Sequence, residues 1–154
     1  MGSPKVGKSM WLCNLCAKSV LNGEDTCYIT LELAYQKCAH RIGANILNIP
    51  IDQYKSAAND PNYLREKMRE YLNSTMIKPG RFIIEEFPTS SATVYDLESF
   101  LLKKEEELST PDKPFKFKNI FIDYINIMKD AKNPNSENMY LKIKSICEDV
   151  RAMA

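Results

Sequence analysis

Residues 2–11 read "GSPKVGKSMW", a sequence that indicates phosphate binding. It matches every fixed position of the phosphate-loop pattern G-x-x-x-x-G-K-[ST], which here are Gly2, Gly7, Lys8 and Ser9. The glycines of such a loop let successive backbone N–H groups turn toward a phosphate chain, and the helix that follows directs its positive end at the same anion. The pattern predicts that Lys8 reaches the β- and γ-phosphates of a nucleotide and that the Ser9 hydroxyl is a ligand of Mg²⁺.

The other residues of this stretch are expected to surround the same nucleotide. They are Ser3, Pro4, Lys5, Val6 and Met10. The alternatives are a chance match and a vector-derived start, because "MGS" is also a common leader of expressed proteins. The amphipathic helix predicted from residue 8 and an acid-ended strand further along the chain both favour a true phosphate loop.

Two acidic residues follow hydrophobic segments that are typical of buried strands. "IFID" (120–123) ends in Asp123, the form of a Walker B element, whose acid would hold the Mg²⁺ shell beside Ser9. Glu32 follows the strand-like run "TCYITL" (26–31), which places it at the carboxyl edge of a doubly wound sheet, where ligands bind. There it is either a general base that polarises a water or a surface acid at a helix start, and the pattern leaves both interpretations open.

Strand-like and helix-like segments alternate along the chain. The predicted helices cover 8–22, 35–47, 61–73, 93–108 and a last segment from about 137, and the predicted strands cover 26–31, 81–87 and 119–128. This alternation predicts an α/β domain with a mostly parallel sheet and helices on both faces.

Apolar periodicity predicts the buried face of the helices. The first helix is expected to bury Leu12, Leu15, Cys16 and Val20. The second is expected to bury Tyr35, Cys38, Ala39, Ile42 and Ile46, and the third Leu64, Met68 and Leu72. At the start of the fourth, Thr93 and Asp96 have the spacing of a capping box.

Composition excludes several classes of protein. Of the 154 residues, 44% are hydrophobic and 27% are charged, as in ordinary globular proteins. No apolar run approaches the roughly 18 residues that a membrane span needs, and no secretion leader opens the chain. The net charge of +1 leaves no overall basic footprint for nucleic acid. We therefore expect a cytoplasmic protein that does not bind membranes.

The cysteines indicate free thiols in a reducing compartment, because their number, 5, is odd and their spacing is scattered. Cys13-x-x-Cys16 has the spacing of a zinc or redox motif. However, no second pair follows at metal-ligand spacing, and Cys16 belongs to the predicted apolar stripe of a helix. Core packing is therefore favoured over a metal or redox role.

Five segments together resemble one family in the same order along essentially the whole chain. They are "GSPKVGKS" (2–9), "YITLEL" (28–33), "HRIGANIL" (40–47), "IFIDYINIM" (120–128) and "SICEDVRAMA" (145–154). They resemble the ATPase core of DnaB-type hexameric replicative DNA helicases, with the greatest likeness to the primase-associated helicases of large tailed bacteriophages. Many nucleotidases share the phosphate loop, whereas "ITLEL" with a downstream "IDY" is more particular to this family.

The resemblance implies a RecA-like fold in which Lys8 and Ser9 bind ATP and Mg²⁺ and Asp123 is the Walker B acid. It also implies that Glu32 is the catalytic carboxylate. Arg41 matches an arginine of the helix after that glutamate and would support either packing or the nucleotide. For the parent protein it implies a homo-hexamer that moves single-stranded DNA, with primase as a partner, in the cytoplasm of an infected host cell.

The family also has a strand before the phosphate loop, and a sensor strand, DNA-facing loops and a basic finger after the segment that ends "VRAMA". None is present in this sequence, so residues 1–154 are expected to be a partial RecA-like core, truncated at both ends and with little activity alone. The alternatives are a recombinase or KaiC-like ATPase and an inert nucleotide-binding fragment. A nucleotide kinase is disfavoured, because the arginines are not clustered as in a lid.

Overall fold

The computed structural model describes residues 7–134 and 138–153 of the chain. Helices and strands alternate through most of this region, as the sequence predicts. The helices are α1 (Lys8–Leu21), α2 (Tyr35–Ile46), α3 (Ile51–Ala57), α4 (Pro61–Ser74), α5 (Val94–Leu108) and α6 (Met139–Met153). The strands are β1 (Thr26–Thr30), β2 (Phe82–Glu86) and β3 (Asn119–Asp123).

The three strands form a parallel sheet in the order β2-β1-β3. Thr30, the last residue of β1, pairs with Glu86 on one side and with Asp123 on the other. The carboxyl ends of all three strands therefore meet at one edge of the sheet, where ligands of such folds bind. All five residues of β1 are buried, which confirms the prediction of a strand covered on both faces.

Helices cover both faces of the sheet, as predicted. On one face, which we call the α1-face core, α1 and α2 pack on β1, and the buried residues are Cys13, Cys16, Ala17, Tyr28, Cys38 and Ile42. On the other, the α5-face core, the buried residues are Cys27, Ile29, Leu31, Ala92, Val94, Leu97, Leu101, Met128 and Ile146. Successive residues of β1 enter opposite cores because side chains alternate along a strand.

The buried face of α1 differs from the predicted one. The helix buries Cys13, Cys16, Ala17 and Val20, whereas Leu15 is 49% exposed. The side of α1 that packs on β1 and α2 carries Cys13, Cys16 and Ala17. The prediction was wrong at Leu15 because it ranked residues by hydrophobicity, which does not show which side of a helix another element covers.

Two other helices are also more exposed than predicted. No residue of α4 is buried, and Met68 and Leu72 are exposed. Tyr35, at the start of α2, is 46% exposed. Periodicity reports that a helix is amphipathic, but it does not report whether another element covers the apolar face.

Element boundaries differ from the prediction in two places. The strand predicted over 119–128 ends at Asp123, the peptide bond to Tyr124 is cis, and a 3₁₀ turn follows at Ile125–Ile127. Helix α3 was not predicted, and it follows directly on Pro50. At α5 the capping box of Thr93 and Asp96 is confirmed. None of the helices in residues 7–134 and 138–153 combines the length and the hydrophobicity that a membrane span requires.

Candidate nucleotide-binding site

The amino terminus of α1 stands at the carboxyl edge of the sheet. Gly7 is the N-cap of this helix and has φ 82°, a left-handed conformation that strains residues with a Cβ atom. Its carbonyl accepts a hydrogen bond of 2.9 Å from the Trp11 backbone N–H. Lys8 and Ser9 follow as the first helical residues, so they lie where the helix dipole favours an anion. The predicted binding residues Gly2, Ser3, Pro4, Lys5 and Val6 lie outside the described residues.

Ser9 and Asp123 are in direct contact. The Ser9 hydroxyl donates a 3.1 Å hydrogen bond to Asp123 Oδ1, although 114 positions separate the two residues. Strand β3 ends at Asp123, next to the end of β1, and α1 lies over the same edge of the sheet. The Asp123 side chain is almost completely buried, at 3% exposure. A carboxylate in such a place needs hydrogen-bond donors, and Ser9 is one of them.

The second oxygen of Asp123 has a partner that sequence reasoning did not identify. The hydroxyl of Tyr28, a fully buried residue of β1, donates a 3.0 Å hydrogen bond to Asp123 Oδ2. The Cys13 thiol in turn donates to the Tyr28 hydroxyl at 3.6 Å. Burial, with the neighbouring Cys13 thiol and the charge of Asp123, raises the pKa of Tyr28, so its hydroxyl stays protonated and remains a donor.

The loop that carries Glu32 is held in place by hydrogen bonds from three sides. The buried Thr30 hydroxyl donates to the Leu33 carbonyl at 2.7 Å and accepts from the Leu33 N–H at 3.2 Å. The Leu31 N–H donates to the Asp123 carbonyl at 2.8 Å, and the Thr89 hydroxyl donates to the Leu31 carbonyl at 2.9 Å.

Glu32 itself is exposed in the middle of this loop, at the carboxyl edge of the sheet. Glu32 directly follows Leu31, whose backbone N–H donates to the Asp123 carbonyl. Its side chain is accessible to water and to a ligand. Both features suit a general base, which must reach a water molecule.

One sign in the sequence could have identified Tyr28 and Thr30. Both carry a hydroxyl in a run of residues that is otherwise typical of a strand buried on both faces. A buried hydroxyl needs a hydrogen-bond partner. Their spacing of two also places them on the same face of β1.

Met10 and Arg41 line one cavity of about 400 Å³ beside α1. A 2.9 Å hydrogen bond from the Asn45 amide to the Asn14 side-chain oxygen joins α1 to α2 in its wall. Met10 of α1 and Arg41 of α2, both predicted to bind the nucleotide, thus line the same cavity. Arg41 is half-buried.

The Cys13-x-x-Cys16 pair is core packing, as favoured by the sequence. Both thiols are fully buried and free. Burial raises the pKa of Cys16 to about 12, which keeps it protonated and unreactive. The neighbouring Cys38 thiol, then the Tyr28 hydroxyl and the charge of Arg41, act against burial and lower the pKa of Cys13. Within residues 7–134 and 138–153, no group of three or more His, Cys, Asp or Glu side chains could hold a metal ion.

Ser9 and Asp123 nevertheless fit a magnesium ion that is shared with a nucleotide. Mg²⁺ prefers oxygen ligands and is commonly held by one or two protein groups together with phosphate oxygens and water. A hydroxyl and a carboxylate in contact at the amino terminus of a helix supply such ligands. The small number of protein ligands is therefore expected of a site that is completed by phosphate.

The chain is similar to known proteins in both sequence and structure. A family model described as "DnaB-like helicase C terminal domain" matches residues 1–154. The DnaB-like replicative helicase of Enterobacteria phage T4 is 33% identical over 155 residues, which span 100% of this chain and 31% of that protein. A solved structure of a DnaB-like replicative helicase, described with its interactions with primase, has a TM-score of 0.66 and 18% identity, and the match covers 97% of this chain and 33% of the other.

The chain thus spans about a third of the length of these relatives. The structural likeness shows the RecA-like fold, with three parallel strands and helices on both faces. The match to the family model extends over residues 1–154. The chain belongs to the DnaB-like helicase C-terminal domain family.

Proposed function

We propose that this chain is the nucleotide-binding motor core of a replicative DNA helicase, in which ATP hydrolysis drives movement along single-stranded DNA. The contact between Ser9 and Asp123 is the observation that carries the proposal. It brings the residue after the phosphate-loop lysine together with the acid at the end of a hydrophobic strand. That pairing is the Mg²⁺ site of P-loop nucleotidases.

Each residue of the site has a role that follows from its position. The helix amino terminus and Lys8 bind the phosphates. Ser9 and Asp123 would hold Mg²⁺, which neutralises phosphate charge when it is bound. Glu32, exposed at the end of β1, orients a water for attack on the γ-phosphate and accepts its proton. Met10 and Arg41 line the adjacent cavity and contact the rest of the nucleotide.

The relatives favour a ring-shaped assembly. The phage T4 relative is a DnaB-like replicative helicase, and the solved structure concerns such a helicase with primase. By analogy, the protein that contains this chain assembles as a homo-hexamer, binds single-stranded DNA and works with primase. If a phage encodes it, it acts in the cytoplasm of the infected cell.

Nucleotide binding is the first test. Calorimetric titration with ADP and Mg²⁺ should show saturable binding, and ADP at about 100 times its Kd should add about 2.7 kcal/mol of stability in thermal melts. Lys8→Ala should weaken binding by about 10- to 100-fold, because a charged hydrogen-bond partner of the phosphates is lost. Lys18→Ala is the matched control, since Lys18 is exposed in the last turn of the same helix. Equal affinities in both variants would refute the site.

The rate of ATP hydrolysis distinguishes the role of Glu32 from that of the residues that bind the nucleotide. In the DNA-bound helicase, Glu32→Gln should keep its affinity for ATP and lose about 10²- to 10⁴-fold of the hydrolysis rate, the usual contribution of a general base. Full activity of this variant would contradict the assignment of Glu32 but would leave the binding site intact.

A further inference from the structure

Three hydrogen bonds among four side chains, closed through the backbone of α1, form a ring behind the candidate Mg²⁺ site. Ser9 donates to Asp123 Oδ1, Tyr28 donates to Asp123 Oδ2, and Cys13 donates to the Tyr28 hydroxyl. Ser9 and Cys13 are four residues apart on α1 and therefore lie on the same face of that helix. The ring thus joins α1, β1 and β3 through a single buried carboxylate.

The two donors to Asp123 constrain the carboxylate differently. Ser9 is partly buried at the edge of the sheet, where a ligand would arrive, whereas Tyr28 approaches from the fully buried side. A carboxylate held through only one oxygen can rotate about its Cβ–Cγ bond, because this terminal torsion is broad. Donors on both oxygens fix the plane of the carboxylate, with Oδ1 directed toward Ser9.

The ring of Tyr28 packs in an apolar environment, and only its hydroxyl has hydrogen-bond partners. Its neighbours in the α1-face core are mainly thiols and apolar groups. A phenylalanine would fill the same space, so packing alone does not require the oxygen. The hydroxyl of Tyr28 is satisfied on both sides, as acceptor from Cys13 and as donor to Asp123.

We propose that Tyr28 is a positioning residue for magnesium: its hydroxyl fixes the Asp123 carboxylate in the orientation that binds the metal–nucleotide complex. This inference rests on the proposed function, since it assumes that Ser9 and Asp123 hold Mg²⁺. Partners in the outer shell of a metal site usually contribute 10- to 100-fold to metal affinity. Tyr28 should therefore affect the part of nucleotide binding that depends on Mg²⁺, and little else.

The test compares ADP binding with Mg²⁺ and with EDTA in the unaltered chain and in Tyr28→Phe. We expect ADP affinity in EDTA to stay within about twofold, while the gain in affinity from Mg²⁺ falls by about 10-fold. Tyr54→Phe is the matched control, because Tyr54 is also buried, at 8% exposure, but belongs to a separate cluster. That control should keep the full Mg²⁺ gain.

A double substitution tests whether Tyr28 affects Mg²⁺ binding through Asp123. If Tyr28 acts through Asp123, Tyr28→Phe should cause no further loss of the Mg²⁺ gain in an Asp123→Asn background. An equal loss in both backgrounds would overturn the proposal. So would an unchanged Mg²⁺ gain in Tyr28→Phe, or an equal loss of affinity with and without the metal.

Two further outcomes are distinguishable. If the unaltered chain binds no ADP, the proposed function fails and the role of Tyr28 fails with it. If Tyr28→Phe gives no cooperative melt, a ring-fluorinated tyrosine at position 28 replaces it, since this side chain keeps its size and its hydroxyl. Its fluorine resonance should shift when Mg²⁺ is added to the ADP-bound protein, and an unchanged resonance would overturn the proposal.

Discussion

Gly43, in the middle of α2, lies against the tyrosine of the next helix. A Cβ atom at this position would stand 2.1 Å from the Tyr54 hydroxyl oxygen and 2.7 Å from Tyr54 Cζ. Tyr54 is held in place because it is buried with Ala44 and Ile49 and stacks at a tilt with His40. Two effects of a Gly43→Ala substitution therefore oppose each other. Alanine favours the helix by about 0.5–1 kcal/mol, and the collision costs about 1–3 kcal/mol.

We predict that the collision is the larger effect, so Gly43→Ala should lower the free energy of unfolding by about 1–2 kcal/mol in urea titrations. In a Tyr54→Leu background, which removes the ring, the same substitution should be neutral or stabilising. The two backgrounds form a double-mutant cycle that isolates this contact. An equal cost in both would show that the loss arises elsewhere.

Helix α5 begins with hydrogen bonds that run in both directions between Thr93 and Asp96. The Thr93 hydroxyl and backbone N–H donate to Asp96 Oδ2 at 2.6 and 2.8 Å, and the Asp96 N–H donates to the Thr93 hydroxyl at 3.3 Å. The donors, first the Thr93 hydroxyl and then its backbone N–H, hold the pKa of the Asp96 carboxyl below its usual range. The ionised carboxylate thus stabilises the folded state.

The pH dependence follows from the sign of this shift. The folded pKa of Asp96 lies below the unfolded value of about 3.9, so its contribution is complete above that pH and is lost as the pH falls through the folded value. Asp96→Ala should cost about 0.3–1 kcal/mol at pH 7, as is usual for an exposed acid in a first helical turn. The cost should shrink in melts below about pH 3. Glu106→Ala, an exposed acid of the same helix, is the control and should show no such trend.

At the scale of the whole molecule, β1 is shared by the two cores. Cys27 and Ile29 belong to the α5-face core, and Tyr28, between them, belongs to the α1-face core. The backbone hydrogen bonds that join β1 to β2 and β3 position the side chains on both of its faces. If these bonds break, the packing on both faces is lost. The two cores should therefore unfold together.

The buried cysteines report on each core separately. Cys16 lies in the α1-face core and Cys27 in the α5-face core, and both are fully buried. Leu97→Ala should destabilise the protein by about 2–5 kcal/mol, the usual cost of a cavity. Thiol labelling along a urea gradient should then expose Cys16 and Cys27 at the same, lowered urea concentration. Labelling of Cys27 well before Cys16 would show that the α5-face core opens alone.

Patterns that span a few residues were predictable from the sequence. The capping box of Thr93 and Asp96, the double-sided burial of β1 and the alternation of strands and helices each depend on local spacing. The α/β class follows from that alternation. The strand that carries Asp123 was predictable for the same reason, but its end was not, because apolar residues continue to Met128 whereas β3 ends at Asp123.

Contacts between residues that are distant in the sequence depend on how the chain packs. The strand order β2-β1-β3 places Asp123 beside the end of β1, and Tyr28 and Ser9 reach its carboxylate from 95 and 114 positions away. The packing also places Cys13 and Ala17, and not Leu15, on the side of α1 that contacts α2 and the sheet. Local periodicity carries no information about either, because strand order and the distance between elements are properties of the packed chain and not of any short segment.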